Sequence, residues 1–164
     1  MTIDKPNFGN VTLRRYIPSD IGGILRVFRE SISTLCKKDY TPAQISAWLN
    51  CADKAKWERE FASRHTTVAI ENGKIVGFCD CEDSGHIDRL YVMPGHEGKG
   101  IGSMLVKDAE DSFLCDLSFV EASVTAKPFF EKLGYQTTLM QQVARNGELL
   151  INFKMEKRLN RQSL

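Results

Sequence analysis

Three glycines at alternate positions, Gly98, Gly100 and Gly102, stand between the apolar run Leu90-Tyr91-Val92 and an amphipathic stretch opening at Ile101. Residues without Cβ let successive backbone N–H groups close on an anion, and the first amides of a helix are unpaired at the positive end of its dipole. The run from Gly98 through Lys99, Gly100, Ile101 and Gly102 to Ser103 therefore reads as a main-chain cradle for phosphate, with Lys99 able to add a charge at its rim. A P-loop would need Ser or Thr directly after the lysine to hold magnesium, and Gly100 stands there instead. A dinucleotide fingerprint would need glycine where Ser103 stands, although Glu121 lies near the distance at which its acidic residue is expected. A plain chain-reversing turn is the bland alternative, and the helix that follows favours the cradle.

A second group capable of chemistry precedes the cradle on the same strand. Side chains alternate along a strand, so His86, Asp88, Leu90 and Val92 are expected on one face. An imidazole titrates at about 6.5 when unperturbed, which suits proton transfer near neutrality. Asp88 would need burial to become comparably basic, or would orient the imidazole or a water. His86 and Asp88 are thus a candidate acid–base pair, weighed against a merely polar strand edge.

The elements that must position these groups follow from periodicity and punctuation. Val11 to Arg15 alternates as a first strand, and Ile21, Ile24, Leu25, Phe28 and Ile32 recur at helical spacing up to Cys36. Thr41-Pro42-Ala43-Gln44 combines a capping hydroxyl, a proline at the first helical position and a capping-box glutamine, so a second helix follows with Ile45, Trp48 and Leu49. Thr67 to Glu71 and Lys74 to Cys81 form a hairpin about Asn72-Gly73. His86 to Val92 is the next strand, Ile101 to Phe113 a helix, Leu117 to Ala122 a strand, and Ala126 to Leu133 a helix. Strands near Gln136 to Val143 and Leu149 to Met155 close the chain around Asn146-Gly147. The order is a strand, two helices, three strands, a helix, a strand, a helix and two strands, which implies an α/β sheet that is partly antiparallel.

From His86 to Phe113 the sequence resembles motif A of the GNAT superfamily of N-acetyltransferases, whose cradle Gln/Arg-x-x-Gly-x-Gly/Ala corresponds to Glu97 through Gly102. Ala122 to Tyr135 is similar to the family's next block, and Leu13 to Asp20 to its opening strand and first helix. The resemblance implies one domain over residues 1–164, a mixed sheet of about seven strands flanked by helices and splayed between the fourth and fifth strands. It implies acetyl-CoA as co-substrate, lying in that gap with its pantetheine arm imitating a strand. The amides of Gly98 to Ser103 would hold the pyrophosphate, and main-chain groups of Leu90, Tyr91 and Val92 would meet the arm and the thioester carbonyl. An amide there would stabilise the oxyanion formed when an amine attacks. The expected acceptor is a small-molecule or peptide amine, with Tyr40, Trp48 and Trp57 as candidates for its pocket wall, and a homodimer is compatible with the family.

Departures from the family's pattern matter as much. Glu97 replaces the Gln or Arg that opens the cradle and is expected to point away from phosphate. Phe130 stands where many members carry the tyrosine that protonates the leaving thiolate, and a phenyl ring has no proton to give. Water, the stability of the thiolate itself, Tyr135 or Tyr91 would have to serve, or transfer has been lost and the protein is an acyl-CoA binding or sensing module. Ser123 stands where an asparagine is usual.

Composition narrows the classes without choosing among them. In 164 residues, 42% hydrophobic and 26% charged content is ordinary for one globular core, and excludes a low-complexity chain. A net charge of +1 gives no global field for nucleic acid or an anionic membrane, so phosphate binding must be local. No membrane span or signal peptide is apparent, and five scattered cysteines suit a reducing cytoplasm. Cys79-Asp80-Cys81 lacks a second ligand pair at zinc spacing, so no metal site is expected.

Overall fold

Extended segments, some joined by tight turns and others far apart in sequence, pair in the computed structural model, which describes residues 10–161. The strands are β1 (Val11–Arg15), β2 (His65–Glu71), β3 (Lys74–Cys81), β4 (His86–Val92), β5 (Leu117–Ser123), β6 (Gln136–Arg145) and β7 (Glu148–Arg158). They form one seven-stranded sheet in the order β1-β2-β3-β4-β5-β7-β6. All neighbours are antiparallel except β4 and β5. Both expected Asn-Gly turns are present: Asn72 and Gly73, like Asn146 and Gly147, have positive φ, the backbone that a tight two-residue hairpin requires.

Helices cover both faces. The amphipathic α1 (Ile21–Leu35) lays Ile24, Phe28 and Ile32 on one face of the sheet, against Val68 and Phe78. At the start of α2 (Pro42–Leu49) the capping box forms as its sequence dictates: the Gln44 N–H donates to Thr41 Oγ1 at 3.2 Å, and the Thr41 N–H to Gln44 Oε1 at 2.9 Å. On the other face α4 (Ile101–Ser112) and α5 (Lys127–Lys132) bury Ile101, Leu105, Ala109 and Phe130 with Val120, Tyr135 and Met155. Gly77 of β3 lets α4 sit this close, because a Cβ there would lie 3.1 Å from Ile101 Cγ2 and 3.2 Å from Leu105 Cδ1.

Two expectations are corrected. Three α-helices precede β2, not two: α3 (Lys54–Ser63) is capped by Asp53, whose side chain accepts from the Lys56 N–H at 3.1 Å, and is anchored by the buried Trp57 and Phe61. Burying such rings contributes about 1.5–3 kcal/mol each. The shared face of β4 is also broken. Cys81 pairs with Ile87 and Asp80 with Arg89, so Asp88 is the extra residue of a bulge. After it Leu90 and Val92 pack into the core beneath α4, while Tyr91 joins the aromatic cluster beneath α1.

Among the described residues no helix is long and apolar enough to cross a membrane.

Candidate active site

The sheet forks at its parallel pair. β4 and β5 are in register only at His86 with Phe119 and Ile87 with Val120, and beyond these residues they part. Gly85 fixes the crotch: its carbonyl accepts the Phe119 N–H at 2.9 Å, its φ is +96°, and a Cβ there would stand 2.1 Å from the Leu117 carbonyl oxygen. Met93 donates to the Val76 carbonyl at 2.7 Å, so by alternation Tyr91 turns its main-chain groups to β3 while Leu90 and Val92 turn theirs into the gap.

At one end of the gap lies the glycine loop. Gly98 and Gly100 both have positive φ, and Gly100 caps α4 from the left-handed region. The Met104 N–H donates to the Gly100 carbonyl at 3.0 Å, which leaves the amides of Ile101, Gly102 and Ser103 ahead of the helical ladder. Gly102 serves packing as well, since a Cβ there would lie 3.0 Å from the Phe129 ring of α5. Glu97 turns back on its own loop, accepting the Gly95 N–H at 2.7 Å. Lys99 lies 3.4 Å from Glu71, which also holds His96 at 2.9 Å, so the lysine sits at the rim of the loop within a small ionic cluster.

At the crotch stand the titratable groups. The His86 ring stacks on Phe119 with centroids 4.8 Å apart, its Nε2 lies 2.6 Å from Glu121 and its Nδ1 3.5 Å from Glu82. Burial alone would lower the imidazole pKa, but the carboxylates of Glu121, Asp88 and Glu82 outweigh it and raise the value. Asp88 sits 2.6 Å from Arg64 and 3.6 Å from Arg89. Its burial opposes ionisation, yet the two guanidinium groups hold its pKa below the ordinary carboxylate value. Both arginines also grip the fully buried Asp80, at 3.0 and 2.8 Å, and burial still pushes that carboxyl up to about 6. Arg89 spreads 4.6 Å from the Trp57 centroid and pairs with Glu60, which ties α3 to the fork.

Beyond the crotch, on the α1 and α2 side, opens a cleft of about 730 Å³. Phe28, Trp48, Trp57 and Tyr91 line it, Asp88, Glu121 and Ser123 border it at the fork, and β6 and β7 close it with residues that include Arg145 and Asn152. Tyr40, Trp48 and Trp57 all reach it. The sequence reading missed Arg89, Asn152, Arg145 and Glu121 as cleft residues. None left a local signal there: Glu121 comes to His86 only through the β4–β5 register, two residues beyond Phe119, the partner of His86. The hairpin residues could not be found by spacing, because its docking rests on Asn146 donating to the Ala47 carbonyl at 2.9 Å, 99 positions away in sequence.

The hydroxyls of Tyr135 and Tyr40 are occupied. Tyr135 is buried with Ser118 2.7 Å away and donates to Glu110 at 3.2 Å. Tyr40 donates to the Ile151 carbonyl at 2.7 Å and accepts from the Val124 N–H at 2.9 Å. Tyr91 is sunk among Phe28, Trp48 and Phe78, and burial raises its pKa. Phe130 is 2% exposed and meets Phe129 and Tyr135 edge-on. Ser123 Oγ accepts the Ala126 N–H at 3.0 Å, in the turn that leads into α5.

Residues 36–157 match the family described as an acetyltransferase (GNAT) domain. The chain is 36% identical over 146 residues to the uncharacterised N-acetyltransferase YafP of Escherichia coli, covering 89% of this chain and 95% of that one. A GCN5-related N-acetyltransferase from Rhodopseudomonas palustris has the same fold, with a TM-score of 0.88 and 34% identity over 92% of this chain and 97% of that one. The PaiA N-acetyltransferase of Thermoplasma acidophilum, solved in complex with coenzyme A, shares the fold with a TM-score of 0.75 and 19% identity, over 92% of this chain and 99% of the other.

Proposed function

The chain belongs to the GNAT family of acetyltransferases, and from that premise we propose that it moves an acetyl group from acetyl-CoA to a primary amine by direct attack within a ternary complex. The observation that carries this reading is the fork. Two strands paired at only two positions open a gap with free amides at one end and an aromatic, carboxylate-bordered cleft at the other. A thioester whose diphosphate is held by the amides of Gly98 to Ser103 would then present its carbonyl to the cleft. The capacity of this chain for acetyl-CoA rests on that main-chain cradle, supported by the coenzyme A bound to PaiA. In this reading residues 1–164 work as one catalytic unit.

The roles follow from where charge must move. Main-chain groups of Leu90 and Val92 face the gap and are positioned to bind an extended ligand as a strand binds, with an N–H available to the oxyanion. The acceptor arrives as an ammonium ion and must lose a proton before attack. His86 takes that proton as a general base once it is neutral, with Glu121 fixing the ring orientation. Asp88, held ionised by Arg64 and Arg89, attracts the ammonium and is the weaker base. The thiolate leaves without a tyrosine beside it, and water protonates it.

Phe130 favours a second reading, an acyl-CoA binding module that has lost transfer, because the ring is buried and has no exchangeable proton. Thiol release measured across a panel of primary amines, alongside calorimetry with coenzyme A, separates the two. Turnover of any amine supports transfer. Binding heat with no turnover on any acceptor favours the module, and no heat at all removes both readings.

A further inference from the structure

Resting on the acetyltransferase reading, we infer that the acceptor is an elongated amine whose far end carries an anion, and that Asn152 and Arg145 hold its two ends. Asn152 lines the cleft and stands opposite Ser123 in the β5–β7 register, two residues along β5 from Glu121. Its Oδ1 is buried and has no hydrogen-bond donor among the described residues. A buried acceptor left unpaired costs free energy, and a ligand N–H supplied from the cleft removes that cost. Beside the carboxylates of Glu121 and Asp88, the donor that fits is an ammonium or amine.

The opposite end of the cleft carries an arginine. Arg145 and Asn146 lie at the tip of the β6–β7 hairpin, which Asn146 pins to α2 through the Ala47 carbonyl and, at 3.5 Å, the Cys51 sulfur. Cys51, just beyond α2, lines the same region of the cleft. The Arg145 guanidinium donates only to the neighbouring Ala144 carbonyl at 3.1 Å and pairs with no carboxylate among the described residues. A guanidinium on the wall of a cleft that makes no ion pair among the described residues suits an anionic ligand group.

The register supplies the spacing. Asn152 is level with Ser123, and Glu148, the partner of Arg145, lies four residues further along β7, about 13 Å at the usual strand rise. Allowing for the inward reach of an arginine, the amine and the anion of the ligand stand about 10 Å apart, the span of an extended tripeptide. Between them Trp48, Trp57 and Tyr91 offer an apolar floor for the middle of the molecule. A lone amino acid is too short to touch both ends, and a polyamine would bring a second cation to Arg145.

Thiol release by the full-length chain at saturating acetyl-CoA tests this with four acceptors. They are Ala-Phe-Ala with a free carboxylate, the same tripeptide amidated, 6-aminohexyl phosphate and 1,8-diaminooctane. The free acid is expected to exceed its amide in kcat/KM by about tenfold, chiefly through KM, the worth of one charge-assisted contact. Arg145→Gln is expected to bring that ratio to about one, while Asn152→Leu lowers kcat/KM for the acid and the amide alike. A preference for the aminohexyl phosphate that Arg145→Gln abolishes supports the same site with phosphate as its anion. Equal use of the acid and its amide, or preference for the diamine, overturns the inference. Coenzyme A heat in calorimetry with none of the four acetylated overturns it while leaving coenzyme A binding intact, and absence of that heat overturns the acetyltransferase reading with it.

Discussion

The His86 imidazole and the Glu121 carboxylate face each other across the crotch of the β4–β5 fork, Nε2 to Oε2 2.6 Å apart, where the two strands cease to pair. The contact raises the histidine pKa and lowers that of the glutamate, as expected of a pair stabilised in its charged form. A group whose folded pKa is raised contributes stability that is complete below its unfolded value, about 6.5 for histidine, and is lost as pH climbs through the folded one. Glu121→Gln should therefore lower the His86 pKa in an NMR titration. The stability gap between wild type and variant should be larger at about pH 6 than at about pH 8. An unmoved histidine, or a gap that widens with pH, would show that the pair does not control this ionisation.

Gly85 should tolerate no side chain. Its φ of +96° and the 2.1 Å between a built Cβ and the Leu117 oxygen act together, and its carbonyl holds Phe119 at the start of the parallel pair. Gly85→Ala is expected to cost about 3 kcal/mol or more in urea unfolding. Gly73→Ala is the control. That glycine also has positive φ but has open space around it, so only the backbone strain of about 1 kcal/mol applies. Equal losses at the two sites would refute the steric argument.

The glycine loop proposed to hold phosphate is testable by affinity. Gly100 caps α4 at φ +78°, and a β-branched residue there must leave the left-handed region, turning the amides of Ile101 and Gly102 away from a common point. Calorimetry should find coenzyme A bound about tenfold or more weakly by Gly100→Val, with thermal stability reduced by only the strain of about 1–2 kcal/mol. Lys99→Ala should weaken binding less, because Glu71 already shares that ammonium. A larger loss from Lys99→Ala than from Gly100→Val would mean that the side chain, and not the main chain, holds the diphosphate.

These relationships were unequally legible in the sequence. Both Asn-Gly hairpins, the Thr41 capping box and the strand from His86 to Val92 could be placed because each rests on local chemistry that the fold does not override. α3 escaped because its inner face carries only Trp57 and Phe61 between charged residues, too thin a stripe for periodicity, although Asp53 was a readable cap. The bulge at Asp88 leaves no trace in the alternation of β4, since the register slip is set by how β3 pairs with it. The glycine loop was legible as a left-handed turn opening a helix. The Glu121 contact and the docking of Arg145 and Asn152 on the cleft were not, because strands distant in sequence bring them there.

Phe130 offers a direct test of the missing proton donor. The ring is 2% exposed and packed edge-on against Phe129 and Tyr135, so a hydroxyl added to it enters a filled core. Phe130→Tyr is expected to lose about 1–3 kcal/mol of stability and to change kcat less than about twofold. A gain of about tenfold or more would place this position within reach of the sulfur and return the leaving group to tyrosine protonation.

The pH–rate profile should then have one limb. His86 begins protonated among its carboxylates, so kcat for a given amine should rise with pH through the raised histidine pKa and level off above it. Asp88, with its pKa lowered by Arg89 and Arg64, is already ionised over that range and adds no second limb. Burial raises the pKa values of Tyr40, Tyr91 and Tyr135, so no tyrosine loses its proton early enough to turn the profile down below about pH 9. His86→Ala should lower the plateau by about 100-fold and abolish the limb, while KM for acetyl-CoA changes little because the cradle lies at the other end of the gap. Glu121→Gln should keep the limb but move it to lower pH, the direction in which the histidine itself moves. A limb that survives His86→Ala would pass the proton transfer to another group, and Asp88→Asn in the same assay would show whether that group is the carboxylate at the bulge.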